Sequence, residues 1–186
     1  MIDLNNPIFV GPWSPQAEWK RALLTELGRR FNINVLVETG TCWGDTVEAV
    51  RQHFVHVYSV ELSVIFYESA EKRFAGVDNV HLFFGSSGRY LDKLLEQVPA
   101  GPILFWLDAH VTGGPSADDG DQVNDELRTI AAKRPNALVL IDDVKAAGDV
   151  YFGPDARISL PVGWRAKFLH GVLITHAGNY SIPERF

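Results

Sequence analysis

The stretch Val35-Leu36-Val37-Glu38-Thr39-Gly40-Thr41-Cys42-Trp43-Gly44 decides the fold. Its short apolar run reads as a buried strand. An acidic residue and two glycines follow, and Asp45 to His53 then reads as a helix. An apolar strand that turns through glycines into a helix is the opening unit of a parallel α/β sheet. Glycine permits a tight turn and lets other atoms approach the backbone. The N–H groups at the start of the helix are then open to a ligand. The turn is no phosphate-cradling loop, because no Gly-Lys-Ser/Thr follows. It also lacks the third glycine of Gly-x-Gly-x-x-Gly.

The same alternation continues outward in both directions. Ser14 reads as an N-cap and Pro15 as the first residue of a leading helix. Trp19, Ala22, Leu23 and Leu27 recur on one face of that helix, which ends near Phe31. Beyond the first helix, strands are expected at His56–Val60, Val80–Phe84, Ile103–Leu107 and Ala137–Ile141. Helices are expected from a Ser63 cap to about Phe74, from Arg89 to Gln97, and from Asp121 to before Pro135. Continuously apolar strands alternating with helices predict a doubly wound, mostly parallel Rossmann-like sheet with helices on both faces. Near the end, Lys167–His170, Val172–His176 and Tyr180–Ile182 lie too close together for helical crossovers. They read as an antiparallel C-terminal edge. No repeat or linker interrupts the chain, so residues 1–186 are expected to form one domain. Its parts are the leading helix 14–31, a ligand-binding core 35–144, and an acceptor-side loop with terminal strands over 145–186.

Composition narrows the function. The chain has 186 residues, is 46% hydrophobic and 11% aromatic, and carries a net charge of −6, which suits a globular core. Its 17 basic residues are scattered, so no nucleic-acid partner is expected. Cys42 is the single cysteine, which rules out an internal disulfide or a thiolate metal cluster and fits a reducing cytoplasm. Met1 to Pro7 does not read as a signal peptide. No apolar run approaches the ~20 residues of a membrane span.

Polar features mark four successive strand ends. Glu38 and Gly40 follow the first strand. Glu61, with Leu62 beside it, follows the second, where a carboxylate can accept hydrogen bonds from both hydroxyls of a ribose. Gly85-Ser86-Ser87 follows the third and Asp108 the fourth. Each taken alone also reads as a solvated loop residue or a helix cap. Together, Val37 to Gly44 with Glu61 and Gly85-Ser86-Ser87 resemble the cofactor half of class I S-adenosylmethionine-dependent methyltransferases. That resemblance implies a cofactor site formed by Glu38, Gly40, Thr41, Gly44, Glu61, Leu62, Gly85, Ser86 and Asp108. Glu38 and Gly40 would face the methionine part, Glu61 the ribose and Ser86 the adenine. Cys42 reads as a small packed residue rather than a nucleophile. Trp43 packs either on the cofactor or over the turn.

Leu107-Asp108-Ala109-His110 and Ile141-Asp142-Asp143 end the fourth and fifth strands. Three converging carboxylates raise one another's pKa values unless a hard cation neutralises them. The placement is similar to that of metal-dependent macrocin-type sugar O-methyltransferases. It implies a magnesium ion on Asp108, Asp142 and Asp143. Ala109-His110 departs from that group and matches a small bacterial branch with Leu-Asp-Ala-His and Asp-Asp motifs. The expected chemistry is methyl transfer to a hydroxyl of a small sugar-like or phenol-like acceptor, with Asp108 or His110 as the base. Tyr151, Phe152 and Trp164 are candidates for an acceptor wall. Two rivals remain open: a nicotinamide-dinucleotide oxidoreductase and a non-catalytic module of the same fold. Completion of the site by a second copy of the chain is also open.

Overall fold

The computed structural model describes residues 15–109, 122–146, 149–150 and 158–183. In chain order the elements are α1 (Pro15–Phe31), β1 (Val35–Thr39), α2 (Asp45–Val50, continued by a 3₁₀ turn over Arg51–His53), β2 (His56–Glu61), α3 (Val64–Arg73) and β3 (Val80–Phe84). There follow α4 (Ser87–Gln97), β4 (Ile103–Leu107), α5 (Gln122–Lys133), β5 (Leu138–Ile141), β6 (Val144–Ala146), β7 (Asp149–Val150), β8 (Arg165–Leu169) and β9 (Val172–His176).

Seven strands form one sheet in the order β3-β2-β1-β4-β5-β9-β8. The first five are parallel, and β9 runs antiparallel to both β5 and β8. Strand order reverses between β1 and β4, which makes the carboxyl ends of these two strands the natural ligand crevice. The expected doubly wound sheet with an antiparallel edge is therefore what forms. A small β6–β7 ladder follows β5 and was not expected.

Alternation along the strands divides the core in two. Val35, Val37, Ile103, Phe105, Leu107, Val139 and Ile141 face α4 and α5, where Leu91, Leu94, Leu95, Leu127 and Ile130 meet them. Leu36, Leu104, Trp106, Leu138 and Leu140 face the other way and are covered by α1, α2 and α3. Helix α1 sits on this second face because Trp19, Leu23, Leu24 and Leu27 fall on one stripe and are fully buried. Its proposed cap, Ser14, lies outside the described residues.

One expected strand does not form. Tyr180-Ser181-Ile182 is irregular. The side chains of Tyr180 and Ile182 pack on the α1-side core, and Tyr180 meets Phe31 edge to face with ring centroids 5.0 Å apart. The Tyr180 hydroxyl donates to Asn136 O at 2.7 Å. Apolar anchoring substitutes here for a ladder.

The glycines of the first turn make room for protein. Gly40 has φ +86°, and a Cβ there would lie 2.8 Å from Asp108 O and 2.9 Å from Ala109 Cα. Gly44 has φ +76°, and its Cβ would meet the Phe74 ring at 2.6 Å. Gly76 has φ +79° with nothing within 4 Å, so it isolates the conformational cost from the steric one. Gly40→Ala is expected to cost clearly more than Gly76→Ala, each losing at least ~1 kcal/mol for the left-handed backbone. Urea unfolding of the two variants checks this, and equal losses would mean that the turn yields to the added methyl.

Candidate active site

The parallel register sets the level at which each strand stops. Glu38 pairs with Ser59 on β2 and with Trp106 on β4. Leu107 pairs with Ile141 on β5. Asp108 N–H donates to Thr39 O, and Asp142 N–H donates to Leu107 O, both at 3.0 Å. Glu61, Glu38, Asp108 and Asp142 thus stand at the ends of four adjacent strands, β2-β1-β4-β5, and form a continuous acidic rim.

Each carboxylate has a distinct environment. Glu61 is buried and accepts Cys42 N–H at 2.8 Å on one oxygen and Ser63 N–H at 2.7 Å on the other. It ties the first loop to the second. Glu38 is buried too, and accepts a 2.5 Å hydrogen bond from the Ser59 hydroxyl. Thr41 Oγ1 lies 2.6 Å from Ser59 Oγ, so a buried chain of three polar side chains runs from the loop to β1. Burial pushes the Glu38 carboxyl up to about 8, against the Ser59 hydrogen bond and with the Glu61 charge adding to the rise.

Asp108 is raised well above the usual carboxylate range, first by desolvation and then by Asp142 and Asp143, with Lys20 acting the other way. Asp142 is pushed up to about 6 by burial, opposed by Lys20. Asp143 N–H donates back to Asp142 Oδ1 at 2.7 Å from a left-handed backbone (φ +55°), and the Asp143 side chain is exposed.

Two contributors come from α1, which the sequence reading left as a plain covering helix. Lys20 Nζ lies 2.6 Å from Asp142 Oδ2 and 3.4 Å from Asp143 Oδ1. Arg21 carries a charge that acts on Glu38. Both occupy the turn that also holds Trp19. The signal was present as basic residues next to the buried stripe, but nothing in the spacing said which strand ends they would face.

The remaining expected site residues sort as follows. Gly40 N–H donates to Val60 O, and Gly44 N–H to Thr41 O. With Cys42 N–H held by Glu61, these three donors of the first loop are engaged by the protein itself. Leu62 is half-buried between Glu61 and Ser63. Gly85 N–H donates to Glu61 O, and Ser86 is the N-cap residue of α4. Cys42 is exposed rather than packed. Partial burial of its sulfur and the carboxylates of Glu61, Asp108 and Asp45 push its thiol up, which leaves it a poor nucleophile. Trp43 is half-exposed and packs edge to face on Phe66 at 4.9 Å, while Tyr67 meets the half-exposed Phe84 at 5.5 Å. Trp164 packs on the α4–α5 side of the core, so plain packing accounts for it. His110, Tyr151 and Phe152 lie outside the described residues.

The magnesium ion implied by the resemblance does not fit these side chains as they stand. Among the described residues no three carboxylate, histidine or cysteine side chains come together as a metal-ligating group. The Lys20 ammonium already holds Asp142 and Asp143. Asp108, Asp142 and Asp143 are neighbours, as expected, but their cation belongs to the chain.

Comparison with known proteins agrees with this geometry at the level of fold. No protein-family model and no curated protein matches this sequence. Solved structures do. An O-methyltransferase from Bacillus cereus, crystallised with S-adenosylhomocysteine, is similar with a TM-score of 0.63 and 15% identity over 90% of this chain and 81% of that one. The methyltransferase PaMTH1 of Podospora anserina, also bound to S-adenosylhomocysteine, gives 0.62 and 17% identity over 85% and 77%. TomG of Streptomyces achromogenes, involved in tomaymycin synthesis and crystallised with S-adenosylmethionine, gives 0.54 and 20% identity over 73% and 57%.

The fold is the class I methyltransferase fold. The chain spans less than two thirds of the length of TomG. Among the described residues, no helix is long and apolar enough to cross a membrane.

The buried Glu38 makes stability depend on pH in a stated direction. Its carboxyl titrates near 8 in the folded chain, against an ordinary value of 4.5. Between these pH values the unfolded chain has released a proton that the folded chain keeps, so stability falls as pH rises through the window. Glu38→Gln keeps an acceptor for Ser59 and removes the titration. Its urea midpoint is expected to gain on the wild type progressively from pH 5 to about 8. A difference independent of pH would show that Glu38 is ionised in the folded protein.

Proposed function

We propose that the protein is an S-adenosylmethionine-dependent methyltransferase that acts on a hydroxyl oxygen of a small acceptor. The observation that carries this reading is the acidic rim of Glu61, Glu38, Asp108 and Asp142 at the crevice of a methyltransferase fold. The donor is cationic at its sulfonium and at its α-ammonium, so a rim of acceptors suits it. The rim of carboxyl oxygens is poorly matched to the pyrophosphate of a nicotinamide dinucleotide. Of the first-loop N–H groups, those of Cys42, Gly40 and Gly44 are engaged by Glu61, Val60 and Thr41, which leaves fewer to cradle such a phosphate. These two facts argue against the oxidoreductase alternative.

The sulfonium supplies an already activated methyl group, so the task of the chain is alignment and proton handling. Glu61 has the acceptor capacity to take the ribose hydroxyls while it holds Cys42 and Ser63. Gly85 and Ser86 would border the adenine, with Leu62 beside them. Glu38, held by Ser59, would face the methionine ammonium, whose charge favours the ionised carboxylate. Gly40, Thr41 and Gly44 act by shaping the loop. Asp108 is assigned as the base, because it stands at the end of β4 beside Asp142, at the crevice where the strand order reverses. His110 is the second candidate. As the acceptor oxygen bonds to the methyl carbon, the carbon–sulfur bond breaks with its electron pair left on sulfur. The hydroxyl proton passes to Asp108. The acceptor class, sugar-like or phenol-like, follows only the resemblance. We place the protein in the cytoplasm.

Titration calorimetry with S-adenosylhomocysteine tests the reading. Binding is expected in the micromolar range, as is usual for enzyme ligands, and Glu61→Gln is expected to weaken it by about 10-fold or more. No heat at millimolar ligand would overturn the assignment. A melting shift with nicotinamide dinucleotide alone would favour the oxidoreductase.

A further inference from the structure

Lys20 belongs to α1, on the far side of the chain in sequence from the residues that it holds. Its side chain is mostly buried, with 16% of its surface accessible. It lies 2.6 Å from Asp142 Oδ2 and 3.4 Å from Asp143 Oδ1, and its charge also acts on Asp108. Asp142 Oδ1 is occupied by Asp143 N–H. Both oxygens of the buried Asp142 carboxylate are therefore engaged by donors of the chain itself.

A divalent ion cannot share this arrangement. Oxygen ligands hold magnesium or manganese at about 2.1 Å, so an ion on Asp142 Oδ2 would stand within about 5 Å of Nζ. Two cations that close repel strongly in a partly buried site. An ammonium is also a compact point charge with three donors. Asp142 and Asp143 use two of them.

We infer that Lys20 is the resident cation of this edge: it holds Asp142 and Asp143 together beside Asp108, offers its third N–H to the acceptor oxygen, and lets transfer run without a divalent metal. The role at the acceptor rests on the methyltransferase reading above, whereas the exclusion of metal does not. Lys20 is then both a charge-balancing residue and a positioning residue.

Manganese binding tests this without any acceptor. The loss of free Mn²⁺ signal in electron paramagnetic resonance is measured for the full chain, for Lys20→Met and for Lys20→Arg. Each is paired with a thermal melt and with calorimetry against S-adenosylhomocysteine. The wild type and Lys20→Arg are expected to take up no Mn²⁺ at sub-millimolar metal. Lys20→Met is expected to bind it at least ~10-fold more tightly, since one positive charge has left the site. A second change, Asp142→Asn, should abolish that binding. Stoichiometric Mn²⁺ uptake by the wild type that Asp142→Asn removes would overturn the inference, even if Lys20→Met fails to fold. So would a folded Lys20→Met that binds no Mn²⁺. Failure of the wild type to bind S-adenosylhomocysteine would instead sink the methyltransferase reading and leave the metal exclusion standing.

Discussion

Four parallel strands that stop at one level impose the constraint on which the rest of this structure depends. The register pairs Glu38 with Ser59 and Trp106, and Leu107 with Ile141. The next residues, Asp108 and Asp142, therefore emerge side by side with Glu38 and Glu61. Their proximity is costly. Carboxyl groups withdrawn from water and set near one another rise in pKa, as Glu38, Asp108 and Asp142 do. Every local device at this edge answers that cost. Glu61 takes two backbone N–H groups, Glu38 takes a serine hydroxyl, and Asp142 takes an ammonium. A site kept so rich in acceptors is suited to a cationic ligand and ill suited to a phosphate.

The division of the core serves the same edge. Helices α4 and α5 stabilise the sheet from one side. On the other side, α1 buries Trp19, Leu23, Leu24 and Leu27 and so fixes the position of the turn that holds Lys20. A buried, fully packed turn loses little further freedom when its lysine is ordered, which lets a long side chain act as a fixed charge. The glycines work in the same spirit. Gly40 allows the first loop to rest on the Asp108–Ala109 backbone, and this close contact brings β1 and β4 ends together.

Much of this was readable before any coordinates. Five apolar runs separated by helical spacing gave the parallel sheet, because buried parallel strands have no polar face to confuse them. The strand-end residues Glu38, Glu61, Asp108 and Asp142 stood out because charge directly after an apolar run is conspicuous. What escaped was whatever depends on tertiary placement. Lys20 is an ordinary basic residue by sequence, and only packing of α1 on the sheet gives it Asp142. Tyr180-Ser181-Ile182 has strand composition, yet its aromatic ring and isoleucine find burial against α1 and Phe31 first.

The Lys20–Asp142 bridge joins residues 122 positions apart. During synthesis the lysine leaves the ribosome long before its partner is made. Local helices and the β1–α2–β2 unit can form in the meantime, but this contact must wait for β5 to complete its place beside β4. The rim and the two hydrophobic layers are therefore completed by the same strand, because β5 supplies Leu138 and Leu140 to one layer and Val139 and Ile141 to the other. A chain stalled before β5 would hold the β1–β4 crevice with an unneutralised lysine beside it.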